Sequence, residues 1–98
     1  GGKDTIHYSV SKAALEALTM AFAKIGASHN ILVNAIRPGV TDTPFHKKIG
    51  RNDLSARRNL VPLKRLAKPS EISHMVLFLA SSKSSFITNT IISVTGGE

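Results

Sequence analysis

The sequence predicts an α/β fold in which helices pack on a parallel sheet. Two stretches with helical spacing of apolar residues alternate with two short apolar runs rich in β-branched residues. The 98 residues, 42% of them hydrophobic, suffice for one small domain or part of one. Two strands do not form a stable sheet by themselves, and the chain opens on Gly1 rather than Met. We therefore expect a piece of a larger domain.

The first element is a long helix over residues 5–25 that we expect to stop at Gly26. Its apolar positions are Ile6, Val10, Ala13, Ala14, Ala17, Leu18, Ala21, Phe22 and Ile25. The next run, ILVNAI at 31–36, is compact and mostly apolar and ends at Arg37-Pro38-Gly39. Such a run is typical of a strand buried on both faces, as in parallel sheets.

Residues 40–68 have no apolar periodicity and contain two prolines, which predicts a lid-like excursion with a short helix near 53–60. A second clear helix begins at Pro69, with Glu71 in its first turn and a predicted buried stripe, and ends at the serine-rich residues 81–85. The stripe consists of Ile72, Met75, Val76 and Leu79. TIISV at 90–94 is the final predicted strand, before Gly96-Gly97.

The net charge of +7 is concentrated in the middle of the chain, in what we call the basic segment, residues 47–68. Its basic residues are Lys47, Lys48, Arg51, Arg57, Arg58, Lys64, Arg65 and Lys68, and its single acid is Asp53. A solvated loop or a surface that attracts anionic ligands would both explain this. Without aromatic residues to stack on bases, the segment does not favour a nucleic-acid partner.

Several classes of site and location are disfavoured. The chain has no cysteine, hence no disulfide and no thiolate site, and its four histidines lack paired metal-ligand spacing, so we expect no metal. No apolar run approaches the ~20 residues of a membrane span, and no signal peptide is visible. We therefore expect a cytoplasmic protein without a membrane partner.

Tyr8 and Lys12 are the candidate catalytic residues of the first helix. At a spacing of four they project from the same face, one turn apart. A phenol normally keeps its proton at neutral pH, but a nearby ammonium stabilises the phenolate, so the pair could transfer a proton. By spacing alone, an ordinary surface pair is the favoured interpretation.

The motifs YSVSKAA at 8–14 and ILVNAIRPGVTDT at 31–43 resemble the short-chain dehydrogenase/reductase family, in particular the C-terminal part of members similar to 3-oxoacyl-[acyl-carrier-protein] reductases. RLAKPSEI at 65–72, VLFLAS at 76–81 and the residues 86–97 agree in the family's order. The resemblance implies a Rossmann-type doubly wound parallel sheet of which only the C-terminal portion is present, within one NAD(P)-binding domain.

The same resemblance implies an oxidoreductase that moves a hydride between NAD or NADP and a carbonyl or alcohol substrate, which the acyl-carrier resemblance suggests is carrier-bound. Tyr8 matches the tyrosine that exchanges a proton with the substrate oxygen. Lys12 matches the lysine that assists it and binds the nicotinamide ribose. The cofactor-binding residues implied are Tyr8, Lys12, Pro38, Gly39, Val40, Thr41 and Thr43. The family also implies a homotetramer or homodimer.

Some family features are missing or altered. No Gly-x-Gly-x-x-Gly motif occurs, and the family's Gly-rich turn and its catalytic serine and asparagine would lie upstream of Gly1. Asn34 belongs to the strand motif, where we expect structural hydrogen bonds. Asn89 stands where a glycine is common, and Thr95 where an aspartate is common. The alternative hypothesis is a truncated, non-catalytic remnant that acts as an interaction module.

Overall fold

In the computed structural model, which describes residues 5–50 and 54–98, helices and strands alternate along the chain. The helices are α1 (Ile6–Ala27), α2 (Phe45–Lys48), α3 (Ser55–Leu60) and α4 (Pro69–Leu79). The strands are β1 (Asn34–Pro38) and β2 (Thr90–Val94), and a 3-10 turn at Ser82–Ser84 follows α4. The predicted α/β class is confirmed.

Strands β1 and β2 form a parallel pair in the register Asn34↔Thr90 to Pro38↔Val94. The connection between them crosses over through α4, as parallel strands require. Both strands are half-buried to exposed within the chain rather than buried on both faces, so the predicted burial of β1 is wrong for the chain by itself.

The boundaries of α1 and β1 differ from the sequence-based ones. Helix α1 continues through Gly26 to Ala27, and the chain reverses afterwards at Asn30, which has φ of 57°. Gly26 serves close packing: a Cβ there would lie 3.0 Å from the Ile31 carbonyl oxygen. Because Ile31 packs against the end of α1, the first three residues of the predicted strand precede β1 and do not belong to it.

The excursion between the strands is attached at both ends. Thr41 and Ala67 form a parallel bridge, with Ala67 N–H donating to the Val40 carbonyl (3.0 Å) and Asp42 N–H donating to the Ala67 carbonyl (2.9 Å). Val61 is 2% exposed and packs against Gly96. A Cβ added to Gly96 would lie 2.8 Å from Val61 Cγ1. The predicted helix near 53–60 is present as α3, although Asp53 lies outside the described residues.

Few apolar side chains are buried within the chain. Among the described residues the buried apolar ones are Ala23 and Val61. Most large apolar side chains of α1 remain half or more exposed, as do Val76 and Leu77 of α4. Val76 at 52% exposure is therefore wrongly placed in the predicted buried stripe, whereas Ile72, Met75 and Leu79 are half-buried. Much of the apolar surface of the described residues is therefore left uncovered within the chain.

Candidate active site

Tyr8 and Lys12 lie in the first two turns of α1, where the helix presents them on one face. The Lys12 ammonium is 5.2 Å from the centroid of the Tyr8 ring, within the range of a cation–π contact. Tyr8 is 56% exposed, so the phenol is accessible to a ligand. The two residues that the sequence paired by spacing are thus in contact, with the ammonium over the face of the Tyr8 ring.

The segment from Pro38 to Thr43 forms the turn at the carboxyl end of β1. Gly39 N–H continues the sheet by donating to the Val94 carbonyl (2.8 Å). A Cβ on Gly39 would lie 2.7 Å from the Thr95 Cα, so the backbones of the two strand ends approach too closely for any other residue. In open α/β sheets, ligands bind beyond the carboxyl ends of parallel strands, which is where this turn lies.

Hydrogen bonds within the turn hold its carbonyl groups. Thr41 Oγ1 donates to the Gly39 carbonyl (3.0 Å), and the Val40 carbonyl accepts from Ala67. The Thr41 carbonyl is 2.8 Å from His46 Nε2, and because a carbonyl only accepts, Nε2 bears the proton. Thr43 is half-buried, and no hydrogen bond involves its hydroxyl within the described residues.

Sequence patterns assign His46 no role in the site, but the structure places it in contact with the turn after β1. It is 9% exposed, in α2, and its ring meets Phe45 edge-on at 5.9 Å between centroids. Its Nδ1 is buried without a hydrogen-bond partner among the residues that the structure describes. His46 therefore joins the first helix of the excursion to the turn, a role that no spacing pattern in the sequence signals.

An ion pair connects the helix that bears Tyr8 with the strand that ends in the turn. Arg37 donates from Nε to Glu16 Oε1 and from Nη2 to Glu16 Oε2, each at 2.9 Å. Glu16 follows Tyr8 by eight residues, about 12 Å along the helix axis. The chain reverses between the end of α1 at Ala27 and the start of β1 at Asn34, so the helix runs antiparallel to the strand. From Glu16 beside Arg37, the first turns of α1, which carry Tyr8 and Lys12, therefore extend beyond the carboxyl end of β1. Within the described residues, the pair of Tyr8 and Lys12 is thus connected to the turn indirectly, through Glu16 and Arg37.

Asn34 is part of the structure and not of the site, as the sequence predicted. Its Nδ2 donates to the Ile87 carbonyl (2.9 Å), and its Oδ1 accepts from Thr90 N–H (3.1 Å). Asn89, where the family pattern commonly has glycine, adopts φ of 59°. Asparagine tolerates this left-handed conformation better than most residues, so the departure from the pattern keeps the turn before β2 intact.

A strongly lowered carboxyl pKa occurs at the base of the excursion, at Glu71. The Arg65 guanidinium donates to both Glu71 oxygens (2.6 and 2.8 Å), and Lys68 N–H donates to Glu71 Oε1 (2.9 Å). The bond from Arg65, followed by the bond from Lys68, lowers the pKa of the Glu71 carboxyl to about 2.

No helix within residues 5–50 and 54–98 is both long and apolar enough to cross a lipid bilayer.

Comparison with known proteins gives the family. The model of the family described as enoyl-(acyl carrier protein) reductase matches residues 1–98. The 3-oxoacyl-[acyl-carrier-protein] reductase of Thermotoga maritima is 37% identical over 97 residues, which are 99% of this chain and 39% of that protein. The acetoacetyl-CoA reductase of Acinetobacter sp. is 37% identical over 93% of this chain and 37% of its own length.

Solved structures agree. The NADPH-dependent reductase YwfH, involved in bacilysin biosynthesis, superposes with a TM-score of 0.90 at 29% identity over 99% of this chain and 41% of its own. A Brucella melitensis 3-oxoacyl-[acyl-carrier protein] reductase with bound NAD gives 0.81 at 33% identity, over 94% of this chain and 33% of its own. The fold is thus the C-terminal portion of a Rossmann-type sheet. This chain, about two fifths of its relatives' length, belongs to the short-chain dehydrogenase/reductase family, with similarity to 3-oxoacyl-[acyl-carrier-protein] reductases.

Proposed function

We propose that the chain is the C-terminal part of one NAD(P)-binding domain, residues 1–98, with a lid at about 40–68. In the full-length protein this domain reduces a carbonyl substrate with NADH or NADPH, or oxidises the corresponding alcohol. The observation that supports the proposal most strongly is the Lys12 ammonium 5.2 Å from the Tyr8 ring, beyond the carboxyl end of β1. The NADPH-dependent YwfH and the Brucella melitensis reductase with bound NAD support the cofactor assignment.

The chemistry assigned to this chain is the proton transfer. When bound, a nicotinamide cofactor would supply the hydride for the carbonyl carbon. Tyr8 gives its phenolic proton to the carbonyl oxygen, which becomes the alcohol hydroxyl, and the resulting phenolate is stabilised by Lys12 until solvent returns a proton. In the oxidative direction the same phenolate removes the alcohol proton.

The turn after β1 fits the nicotinamide end of such a cofactor. The carbonyls of Val40 and Thr41 are bonded within the protein, so contacts from these two residues would come from their amide N–H groups. At Pro38 and Gly39 the backbone at the end of β1 passes close to the backbone that follows β2, at Thr95. Thr43 has a hydroxyl that could form a hydrogen bond with the cofactor. Lys12 extends from an exposed face of α1 and would bind the nicotinamide ribose.

The Tyr8→Phe variant tests the assignment, because the ring stays and the transferable proton is lost. We expect kcat for NADPH- or NADH-dependent reduction of a 3-oxoacyl thioester by the full-length protein to fall about a hundred- to ten-thousandfold. Ser11→Ala is the matched control: its hydroxyl, on the same helix, only donates to the Tyr8 carbonyl (2.7 Å). Near wild-type turnover of the Tyr8 variant would contradict the proposal. A wild-type protein without any cofactor oxidation would instead support the non-catalytic interaction module.

We further propose that the basic segment favours an anionic or carrier-bound substrate. Arg58 in α3 is exposed, and Arg57 is 3.5 Å from Glu98 across the surface. Positive charge near a substrate entrance raises the association rate of an acidic partner. Replacing Arg57 and Arg58 by Glu should raise KM for an acyl-carrier-protein substrate at low salt about tenfold. Lys24→Glu with Lys83→Glu makes the same change of net charge elsewhere, and an equal effect of both pairs would contradict steering by the segment.

Oligomerisation and location complete the proposal. Phe86 is fully exposed, Leu77 is 69% exposed, and a cavity on α4 is lined by Val76, Leu77 and Ala80. These faces fit the homodimer or homotetramer that the family resemblance implies. We also propose a cytoplasmic location for the full-length protein. Sedimentation of the full-length protein as a monomer would contradict the assembly, and its recovery in a membrane fraction would contradict the location.

A further inference from the structure

The ion pair between Glu16 and Arg37 shares its helix face with the proposed catalytic pair. Glu16 lies one turn after Lys12 and two turns after Tyr8 on α1, so the three side chains follow one another on one face. Arg37 reaches this face from β1 and binds both carboxylate oxygens at 2.9 Å. Its Nη1 is also 3.5 Å from Ser93 Oγ on β2. The guanidinium therefore meets Glu16 in a fixed, two-point geometry.

The position of Glu16 creates a competition. A glutamate and a lysine four residues apart on a helix attract each other and form ion pairs when nothing else binds them. If the Glu16 carboxylate paired with Lys12, it would draw the ammonium away from Tyr8. It would also bring a negative charge near the phenol, which disfavours the phenolate. In the structure Lys12 is instead over the Tyr8 ring, and Glu16 is occupied by Arg37.

We infer that Arg37 is a positioning residue that keeps the Glu16 carboxylate away from Lys12. By binding both oxygens of Glu16, Arg37 leaves the Lys12 ammonium free to act on Tyr8. The inference rests on the proposed function of Tyr8 and Lys12. It adds to that function two residues outside the proposed site: Arg37, which precedes the turn, and Glu16, which lies on the same helix as Tyr8 and Lys12.

A purely mechanical role is the competing explanation, because the same ion pair also ties α1 to β1. The two explanations differ for the variant that lacks both partners. If Arg37 restrains a competing charge, removing that charge makes Arg37 dispensable. If the ion pair only holds α1 against β1, removing Arg37, Glu16 or both should lower kcat by the same factor.

The experiment compares Arg37→Gln, Glu16→Gln and the double variant in the full-length protein. We expect Arg37→Gln to lower kcat about five- to tenfold, the effect of one partly solvated charge a few ångströms away, and to move the pH dependence of kcat upwards. Glu16→Gln and the double variant should keep kcat within about twofold of wild type, because neither has the competing carboxylate. Equal losses in all three variants, or an unchanged Arg37→Gln, would overturn the inference.

Two controls keep the result interpretable. Ser84 is 1% exposed, and its hydroxyl donates to the Leu79 and Ser81 carbonyls near the amino end of the sheet. Ser84→Ala should lower stability while leaving kcat unchanged, so a kinetic loss in Arg37→Gln alone cannot be attributed to instability. Tyr8→Phe separates the two proposals. If it abolishes turnover while Arg37→Gln has no effect, the inference fails and the proposed function remains.

Discussion

The two ends of the β1–β2 pair are joined in different ways. At the amino end, side chains make most of the connections. The Asn34 amide group is hydrogen-bonded to the Ile87 carbonyl and to Thr90 N–H, and Thr88 Oγ1 accepts from Val33 N–H (3.1 Å). One backbone bond, from Asn89 N–H to the Val33 carbonyl (2.9 Å), adds to these connections. At the carboxyl end, backbone groups make most of them, through Gly39 to Val94 and through Ala67 to the turn.

We interpret this difference as a division between a structural end and the end at which the proposed site lies. At the amino end, the Asn34 and Thr88 side chains already form hydrogen bonds between the strands, so this end is suited to a structural role. Where the backbone joins the strands, side chains such as Thr43 and the exposed Tyr8 stay available. Substitutions at each end test this division, from the largest expected effect to the smallest.

Gly39→Ala tests the backbone junction at the carboxyl end. The added Cβ would lie 2.7 Å from the Thr95 Cα, and no side-chain rotation relieves a contact with backbone. We expect a loss of about 3 kcal/mol in the free energy of unfolding of the full-length protein, with weaker cofactor binding. Urea unfolding and cofactor fluorescence titration measure the two effects.

Gly50→Asn is the control for Gly39→Ala. Gly50 has φ of 81°, a Cβ there would meet nothing within 4 Å, and asparagine tolerates this conformation. Its cost should stay below about 1 kcal/mol. Equal stability of the two variants would mean that the strand ends can separate without penalty, which contradicts a rigid junction.

Asn34→Ala tests the side-chain junction at the amino end. It removes both bonds of the amide and leaves the Ile87 carbonyl and Thr90 N–H without those partners, so we expect a loss of about 2 kcal/mol. Well below the unfolding temperature, kcat and KM should equal those of wild type. Asn59→Ala, on the exposed helix α3, should change stability by less than about 0.5 kcal/mol. A change in KM for the cofactor would show that the two ends are coupled.

Local signals in the sequence were sufficient for much of the fold. Pro69 fixed the start of α4 and the β-branched run fixed β2, because a proline at a helix start and a short apolar strand depend on few distant contacts. Gly26 misled the prediction of the end of α1. Its role is close approach to Ile31, which the sequence does not distinguish from a helix stop.

The candidate site was partly predictable for the same reason. Tyr8 and Lys12 share a helix face, so their contact follows from spacing, and the turn after β1 follows from its motif. The contacts of Arg37 with Glu16 and of His46 with Thr41 were not predicted. The first joins residues 21 positions apart, and the second depends on how a short helix packs on the turn. Such contacts arise from tertiary packing, which no local pattern specifies.

The smallest expected effect concerns the charges at the base of the excursion, near the carboxyl end. Arg65 and Lys68 N–H hold the pKa of Glu71 at about 2, below its ordinary value of 4.5. Because the pKa is lower in the folded state, the bond stabilises the fold fully above pH 4.5 and loses its effect as the pH falls from there towards about 2. Arg65→Gln removes the larger of these two causes, so we expect that variant to be less stable than wild type at pH 7.

The difference in stability between wild type and Arg65→Gln should therefore narrow on acidification. Urea unfolding of both proteins between pH 7 and pH 3 measures it, and since Arg65 and Glu71 are partly exposed, high salt should reduce the difference at pH 7 as well. A difference that stays constant over this range would mean that Glu71 keeps its ordinary pKa. In that case no ion pair would stabilise the carboxyl end, as none stabilises the amino end among the described residues. The two ends would then differ only in whether backbone groups or side chains make most of the hydrogen bonds between the strands.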